Sequence, residues 1–359
     1  MRGRFGFRVP GSEFTTAANI GGLRNTCNQP LRLVLYLGVH IVTYMRISVT
    51  DRCNERCAYC MPHDVTVEWL PRGEILTYEE ILRVARVATS LGVTKFRVTG
   101  GEPLVRRNVA EFIGELSKLP GVTDIGLSTN GTLLASLASR LRAAGVTKFN
   151  ISLDTLDADL YRELTGTGRL ADCFAGIEAA IETGAQVKLN CVLMKDKNDG
   201  ELVSLVEFAA GKRVTIRFIE LMPVSTSEVL TDDNFLSIGH ARRIIEQRYE
   251  LVSADVKLGN GPAVYYRAEG LPIHVGFIGA MTNLHFCDTC NKVRLTADGK
   301  LRPCLGAHME FDLKPVLRAP DSTDARLRDV FVQTIRNKPE QHEFRNNYIP
   351  GRKMVAIGG

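Results

Sequence analysis

Hydrophobic and polar positions follow two alternating periods from Thr43 onward. Short runs rich in β-branched residues are separated by longer runs with the spacing of amphipathic helices, which is typical of βα units and a parallel sheet. The six predicted strands are 43–49, 94–98, 123–128, 147–153, 186–193 and 215–219. Gly-Val-Thr recurs at 92–94, 121–123 and 145–147, where we expect a helix to end on a left-handed glycine before the next strand.

Capping signals support several helix starts. Thr77 and Glu80 have the spacing of a capping box, and Asn108 can form another with the glutamate three positions on. Asp172 and Asp199 stand where N-caps are expected. Helices are therefore predicted to begin just after these four positions.

Polar residues occupy alternate positions of all six predicted strands, which places them on one face. They are Arg46, Ser48, Arg97, Thr99, Gly126, Ser128, Asn150, Ser152, Asp154, Lys188, Asn190, Thr215 and Arg217. A parallel sheet covered on both faces normally has continuous apolar strands. We therefore expect the polar face to line a wet cavity, unless each polar side chain only satisfies a strand end.

These features predict an α/β fold with six repeated units. A closed eight-stranded barrel would fill its interior with branched side chains, so the expected architecture is a partial (βα)6 TIM-like barrel over residues 41–222. A smaller C-terminal α+β region is expected at 223–359. Residues 1–40 are expected to form an N-terminal extension of uncertain order.

Composition narrows the class of protein. The chain has 359 residues, a net charge of +5 and nine cysteines. Six cysteines fall in two tight groups, which argues against a secreted disulfide framework and predicts a reducing, cytoplasmic compartment. The charge is too small to indicate nucleic acid. The apolar stretch 31–44 is interrupted by charge and is shorter than the roughly 20 residues of a membrane helix, so no membrane span is expected.

Three cations project by strand parity into the predicted cavity, namely Arg46, Arg97 and Lys188. Buried cations are costly without an anion, so a polyanion such as a nucleotide triphosphate is the natural complement. The alternative is that Asp154 and Glu220 neutralise them as internal ion pairs.

The first cysteine group consists of Cys53, Cys57 and Cys60. Three thiolates at this spacing can reach one soft metal centre and leave a coordination position open. A structural zinc site normally has four protein ligands, and His63 could complete one here. With three thiolate ligands and an open position, the group indicates a catalytic centre. With His63 as a fourth ligand, it indicates a structural zinc site.

The second cysteine group consists of Cys287, Cys290 and Cys304. It again offers three thiolates without an evident fourth. A zinc knuckle completed by His285 or His308 is the alternative.

Both groups lie in longer stretches that resemble one family. Cys-x3-Cys-x-Tyr-Cys is the signature of the radical S-adenosylmethionine (SAM) enzymes, and the run 46–62 is similar to the GTP 3′,8-cyclase family of molybdenum cofactor biosynthesis. The string 286–305 resembles the C-terminal cluster motif of that family. The resemblance covers about residues 44–359.

The resemblance implies two [4Fe-4S] clusters, one binding SAM and the other the guanine of GTP. The implied cluster ligands are Cys53, Cys57, Cys60, Cys287, Cys290 and Cys304. The implied SAM contacts are Tyr59, Gly101, Ser152 and Met222. The implied GTP contacts are Arg46, Arg97, Ser128, Lys188, Lys292 and Arg294.

One position departs from the family. Lys292 stands where the family usually has Arg, which keeps the charge but loses the two-pronged geometry suited to phosphate. Arg294 is therefore expected to matter more, and the resemblance implies that it assists the final reduction step as a catalytic residue. Gly358-Gly359 matches the double-glycine tail that the family directs toward its active site.

The implied activity is that of a lyase. It converts GTP into (8S)-3′,8-cyclo-7,8-dihydroguanosine 5′-triphosphate, the first step of molybdenum cofactor biosynthesis. A low-potential electron donor, a homodimer and, by pathway, a downstream cyclic pyranopterin monophosphate synthase are the expected partners. Two alternatives are a radical SAM peptide-modifying enzyme, which usually has more C-terminal cysteines, and a non-catalytic zinc-binding protein, which would not need three cavity-facing cations.

Overall fold

One continuous sheet organises the described part of the chain. This computed structural model describes residues 41–62, 66–225, 229–256, 258–346 and 348–358. The strands are β1 Tyr44–Ser48, β2 Lys95–Thr99, β3 Asp124–Thr129, β4 Lys148–Ser152, β5 Gln186–Leu193, β6 Thr215–Glu220, β7 Leu251–Ala254, β8 Val264–Ala268, β9 His274–Ile278, β10 Lys292–Leu295, β11 Lys300–Arg302 and β12 Phe311–Asp312. Their order in the sheet is β12-β11-β10-β1-β2-β3-β4-β5-β6-β9-β8-β7.

The six predicted strands are confirmed as β1 to β6, with bounds within one residue of those expected. Neighbours among them are all parallel. Because parallel strands end at the same edge, the loops that follow β1 and β2 emerge side by side. The α/β fold with a partial barrel is therefore confirmed.

Strands from the C-terminal part extend this sheet at both edges. β10 pairs parallel with β1, and β9 pairs parallel with β6. The remaining strands add antiparallel pairs outside them. The predicted domain boundary between 222 and 223 stays a prediction, and the extension at 1–40 lies outside the described residues.

Helices connect the strands. They are α1 Tyr78–Ser90, α2 Val109–Ser117, α3 Ala138–Ala143, α4 Ala158–Thr165, α5 Leu170–Glu182, α6 Leu202–Gly211, α7 Ile238–Glu246, α8 Lys314–Arg318, α9 Asp324–Arg336 and α10 Met354–Ile357. Short 3₁₀ turns occur at Arg72–Glu74, Pro103–Val105 and Asp199–Glu201. In this part of the chain, no helix is long and apolar enough to cross a bilayer.

Local signals predicted some helix ends and missed others. The capping box of Thr77 and Glu80 is present at the start of α1. The other three signals are wrong in whole or in part. The helix start after Asn108 is confirmed, because α2 begins at Val109. Its predicted capping box is wrong, because Asn108 has φ 60°, whereas an N-cap normally has extended geometry, and its side chain makes no capping hydrogen bond. Asp172 lies inside the first turn of α5, and Asp199 belongs to a 3₁₀ turn.

The three recurring glycines are all left-handed, as predicted, and two of them follow a helix directly. Gly92, Gly121 and Gly145 have φ values of 100°, 92° and 113°. Gly92 and Gly145 come immediately after the C-cap residues of α1 and α3, where side chains with a Cβ rarely adopt this region. The prediction is wrong for Gly121, because α2 already ends at Ser117.

The apolar positions of the strands face the helices. Ile47, Val98, Leu127, Ile151 and Leu189 are fully buried and belong to one large cluster. Burying each such side chain contributes about 2 kcal/mol to the free energy of unfolding. The opposite, polar face of the sheet is left to form a site.

Candidate active site

A cavity of about 380 Å³ lies on the polar face of the sheet. Its volume is in the range of small-molecule sites. Ten residues predicted from strand parity line it, namely Arg46, Arg97, Thr99, Ser128, Asn150, Ser152, Asp154, Lys188, Asn190 and Arg217. The expectation that the polar face of the strands lines a cavity is confirmed.

Both cysteine groups open onto the same cavity. Its lining includes Cys53, Cys57, Cys60, Cys287, Cys290 and Cys304. All six are free thiols. Residues separated by more than two hundred positions in the chain therefore share one space, which the sequence could only suggest through the resemblance.

The first cysteine group has a defined loop around it. Cys60 N–H donates to Cys57 O at 2.9 Å, which makes a tight turn between these two ligand candidates. The loop is also anchored to the end of α4, where Ala58 N–H donates to Leu164 O at 2.8 Å. Burial raises the pKa of Cys53 and of Cys60 to about 12, so these thiols ionise only beside a strong positive charge such as a metal centre.

The loop that follows β2 begins with Gly100 and Gly101, and its backbone contacts the loop that carries the first cysteine group. Gly101 N–H donates to Thr50 O at 2.8 Å. A Cβ at Gly101 would lie 2.2 Å from Arg52 O, and one at Gly100 would lie 2.7 Å from Thr50 O. Glycine is therefore required at both positions so that the two loops can approach.

Glu102 fixes the far side of this loop. Its carboxylate accepts from Leu104 N–H at 3.0 Å, Asn130 N–H at 2.8 Å and Thr129 Oγ1 at 2.9 Å. The side chain is buried, and this desolvation raises its pKa to about 7. Glu102 thus holds the loops after β2 and β3 together.

Tyr59 lies in the cavity wall with a fixed partner. Its Oη donates to Asp154 Oδ2 at 2.8 Å, and Asp154 Oδ1 accepts from Val192 N–H at 2.8 Å. Burial raises the pKa of Asp154 to about 6. The other SAM candidates from the sequence, Gly101, Ser152 and Met222, line the same cavity.

The two carboxylates considered as ion-pair partners are bound elsewhere. Asp154 holds Tyr59, as above. Glu220 accepts from the backbone N–H groups of Ile238, Met281 and Thr282 at 3.0, 2.8 and 3.0 Å. These two carboxylates therefore accept their hydrogen bonds from Tyr59 and from backbone N–H groups, whereas Arg97 and Lys188 donate to neutral oxygens.

Neutral oxygens hold the cations at the other end of the cavity. Arg97 donates to Tyr44 Oη and to Leu127 O, both at 3.0 Å. Lys188 Nζ donates to Leu258 O. Burial, followed by the charges of Arg217 and Arg97, lowers the pKa of Lys188 to about 7. Neutral acceptors therefore fix both side chains where they line the cavity.

A row of arginines crosses three adjacent strands. Arg46 on β1 is in register with Arg97 on β2 and with Arg294 on β10. Burial, followed by the charge of Arg294, lowers the pKa of Arg46 to about 9. Burial also lowers the pKa of Arg294 to about 10. Lys292 lies two residues before Arg294 and lines the cavity as well.

Neither histidine proposed for a zinc knuckle approaches the second cysteine group as a ligand. His285 Nδ1 lies 2.8 Å from Asp288 Oδ2 at the surface, and His308 stacks on Tyr348 with ring centroids 4.7 Å apart. Within the described ranges, no three Cys, His, Asp or Glu side chains converge to hold one ion. His63 lies outside the described residues.

Known proteins share this arrangement of sequence and fold. Residues 47–209 match the radical SAM superfamily, and residues 214–344 match Molybdenum Cofactor Synthesis C. A GTP 3′,8-cyclase of Marinobacter nauticus is 45% identical over 310 residues, which is 85% of this chain and 92% of the relative. One of Pelotomaculum thermopropionicum is 44% identical over 320 residues, 89% of this chain and 98% of the relative.

The chain belongs to the GTP 3′,8-cyclase family. It is a radical SAM enzyme of the lyase class, with SAM and an iron–sulfur cluster as cofactors.

Solved structures share the fold at low sequence identity. SuiB of Streptococcus suis bound to S-adenosylmethionine has a TM-score of 0.55 and 16% identity, covering 88% of this chain and 77% of that one. The protein anSMEcpe with bound AdoMet has a TM-score of 0.52 and 14% identity, covering 84% and 82%. These likenesses support the partial barrel and its C-terminal extension.

The C-terminal tail of this cyclase family member reaches the site. Gly358 has φ 86°, and a Cβ there would lie 2.9 Å from Ser48 Cβ on β1. Arg294 Nη1 donates to Gly358 O at 2.9 Å. The tail thus orients one of the cavity arginines, while Gly359 lies outside the described residues.

Sequence reasoning left several cavity residues without a role. Arg217 donates to Asn190 Oδ1 at 2.9 and 2.6 Å and lines the cavity, so the parity that selected Lys188 could have selected it too. Gly126 makes room for Arg97, because a Cβ there would lie 2.4 Å from the guanidinium carbon. The loop 259–262 also lines the cavity, and no sequence signal pointed to it.

Proposed function

We propose that this protein converts GTP into (8S)-3′,8-cyclo-7,8-dihydroguanosine 5′-triphosphate, in the first step of molybdenum cofactor biosynthesis. One observation carries the proposal: two cysteine triads and a set of buried cations line a single cavity. A nucleotide triphosphate complements the cations, and a radical reaction needs a site closed to water.

The two triads are proposed to hold two [4Fe-4S] clusters. Cys53, Cys57 and Cys60 would bind the cluster that contacts SAM, and Cys287, Cys290 and Cys304 would bind the second. The donor set fits, since each triad offers three soft thiolates at one wall of the cavity. When bound, the first cluster supplies the electron that cleaves SAM.

SAM is proposed to lie beside the first triad. Tyr59 would contact its adenine, held in place by Asp154. The backbone at Gly101, which lines the cavity, would bind its ammonium group. Ser152 and Met222 would complete the contact from the ends of β4 and β6.

GTP is proposed to span the cavity between the cations and the second triad. Its triphosphate would be bound by the cations, with Ser128 as a neutral donor on β3. The proposed phosphate contacts are Arg46, Arg97, Lys188, Lys292 and Arg294. Lys292 acts as a point charge, whereas an arginine can donate two parallel hydrogen bonds.

Arg294 is proposed to have a second role in the reaction. Its guanidinium lines the cavity and is oriented by the carbonyl of Gly358. A fixed cation there would stabilise negative charge that develops on the nucleotide during the final reduction. Ordering of the tail would therefore be coupled to catalysis.

Partners of the proposed reaction follow from its chemistry. A low-potential donor must deliver electrons to the clusters, and a cyclic pyranopterin monophosphate synthase would consume the product. A homodimer is also proposed.

Anaerobic assays test the proposal. Purified and reconstituted protein should hold eight irons and eight sulfides per chain, and C287A/C290A/C304A should hold half as many. Incubation with SAM, a reductant and GTP should yield 5′-deoxyadenosine only when GTP is present. Zinc without sulfide would contradict the cluster assignment, and turnover of a peptide without GTP turnover would favour the peptide-modifying alternative.

A further inference from the structure

Lys338 lies beside the second cysteine group, in the segment that follows α9. Its backbone N–H donates to Ile335 O at 3.1 Å, which continues the helical turn. The side chain is half-buried and extends toward the cysteines. Lys338 is not among the residues proposed to bind SAM, GTP or a cluster iron.

The ammonium of Lys338 has three neighbours. Nζ lies 3.4 Å from Cys290 Sγ, 3.0 Å from Lys292 O and 2.6 Å from Pro303 O. An ammonium has three hydrogens to donate, and these three acceptors account for all of them. The side chain is therefore fixed rather than free in solvent.

These acceptors belong to the separate arms of the triad. Cys290 ends the Cys-x2-Cys turn, Lys292 begins β10, and Pro303 immediately precedes Cys304. One cation thus ties together the two segments that bring the thiols to the cavity. Loss of the ammonium would leave two carbonyls and a thiolate to repel one another.

We propose that Lys338 is a positioning residue for the second cluster, donating to the Cys290 sulfur and raising the reduction potential of that cluster. This inference rests on the proposed function, in which the second triad holds a [4Fe-4S] cluster. A hydrogen bond and a positive charge at a ligating sulfur stabilise the state with one more electron. Removing them makes reduction harder.

Another cation near the triad has a different orientation. Lys292 Nζ lies 5.9 Å from the centre of the Tyr44 ring, toward the arginine row. Its backbone carbonyl, rather than its ammonium, takes part in the Lys338 contacts. Lys338 therefore donates to the Cys290 sulfur through its side-chain ammonium, whereas Lys292 does so through its backbone N–H.

The test is a redox titration of the reconstituted full chain, followed by electron paramagnetic resonance. K338M, K338Q and K338R are compared with the parent chain and with K118M, a surface control whose lysine is 71% exposed. The same titration in a C53A/C57A/C60A background isolates the signal of the second cluster. Iron and sulfide are counted in every sample.

The expected result is a lower midpoint potential of the second cluster in K338M and K338Q, with K338R close to the parent and K118M unchanged. The first cluster should keep its potential in all variants. If K338M does not retain iron, the midpoint potentials of the second cluster in K338Q and K338R are compared with that of the parent chain instead. Equal midpoints in the parent and K338Q would overturn the role of Lys338. A parent chain with only four irons would instead overturn the second cluster itself.

Discussion

Arg46 and Arg294 are direct cross-strand neighbours on the parallel strands β1 and β10. Like charges in that position repel, and burial adds to the cost. Both side chains line the cavity, where the pKa of each is lowered, to about 9 and about 10. The ligand-free protein therefore carries an electrostatic cost that a polyanion can offset.

Polyphosphates should stabilise the protein more than nucleosides do. GTP or tripolyphosphate at about 100 times its Kd should add about 2.7 kcal/mol to the free energy of unfolding. Guanosine at the same concentration should add much less, because without phosphates its Kd is higher. Differential scanning fluorimetry under anaerobic conditions measures this as a rise in Tm. The R97M variant should lose most of the shift, and R267A, at an exposed ion pair with Glu269, should keep it. Equal stabilisation by guanosine and GTP contradicts the phosphate assignment.

Proton uptake should accompany GTP binding through Lys188. In the free protein its pKa is about 7, so at pH 8.5 the amine is mostly neutral. A bound phosphate favours the ammonium and raises this pKa, so binding should take up close to one proton. Isothermal titration calorimetry in buffers of different ionisation enthalpy measures the number of protons taken up on binding. K188M should abolish the uptake and K118M should not, while buffer-independent enthalpies for the parent chain would contradict the role of Lys188.

The same lysine affects stability with pH. In the unfolded chain its pKa returns to 10.5, so between about 7 and 10.5 the unfolded state binds the extra proton. The contribution of Lys188 to the free energy of unfolding therefore increases with pH across this window. Urea unfolding of the parent and K188M at several pH values should show the difference, and parallel pH profiles would refute it.

Adding one methyl group at Gly126 should weaken GTP binding. A Cβ there would lie 2.4 Å from the guanidinium carbon of Arg97, which must move away from its present position. Loss of one charged contact costs about 1.5–3 kcal/mol, so the Kd for GTP in G126A should rise by about ten- to a hundredfold. G114A is the matched control, because nothing lies within 4 Å of a Cβ at that helical position. Similar affinities for the two variants would show that Arg97 does not depend on Gly126.

Replacing Glu102 by Gln should destabilise the loops around the site. Its carboxylate accepts hydrogen bonds from Leu104, Thr129 and Asn130, and a Gln amide would point a donor at some of these donors. The expected loss is about 1–3 kcal/mol in the free energy of unfolding, measured with urea. E115Q, at a surface carboxylate that is 58% exposed, should change little. A fully stable E102Q would mean that the loops are held by other contacts.

Much of the site was predictable because its signals are local. Strand parity has a period of two, so Arg46, Arg97 and Lys188 could be assigned to one face before any fold was known. The Gly-Val-Thr repeats likewise predicted left-handed turns from local sequence, since a single glycine can adopt a positive φ without help from distant residues. By contrast, Asn108 stands at the N-cap of α2 as predicted, but its side chain makes no capping hydrogen bond, because its own backbone conformation is left-handed.

The sequence by itself determined the barrel units, the cavity-facing cations and the two cysteine triads, because each depends on spacing along a few neighbouring residues. Tertiary structure decided the rest. Pairing of β10 with β1 places Arg294 beside Arg46, and a lysine some fifty positions after Cys290 reaches its sulfur. Such contacts join segments that are far apart in the chain, and the strand and helix periods of the sequence carry no information about them. They arise only when the packing of the whole sheet brings those segments together.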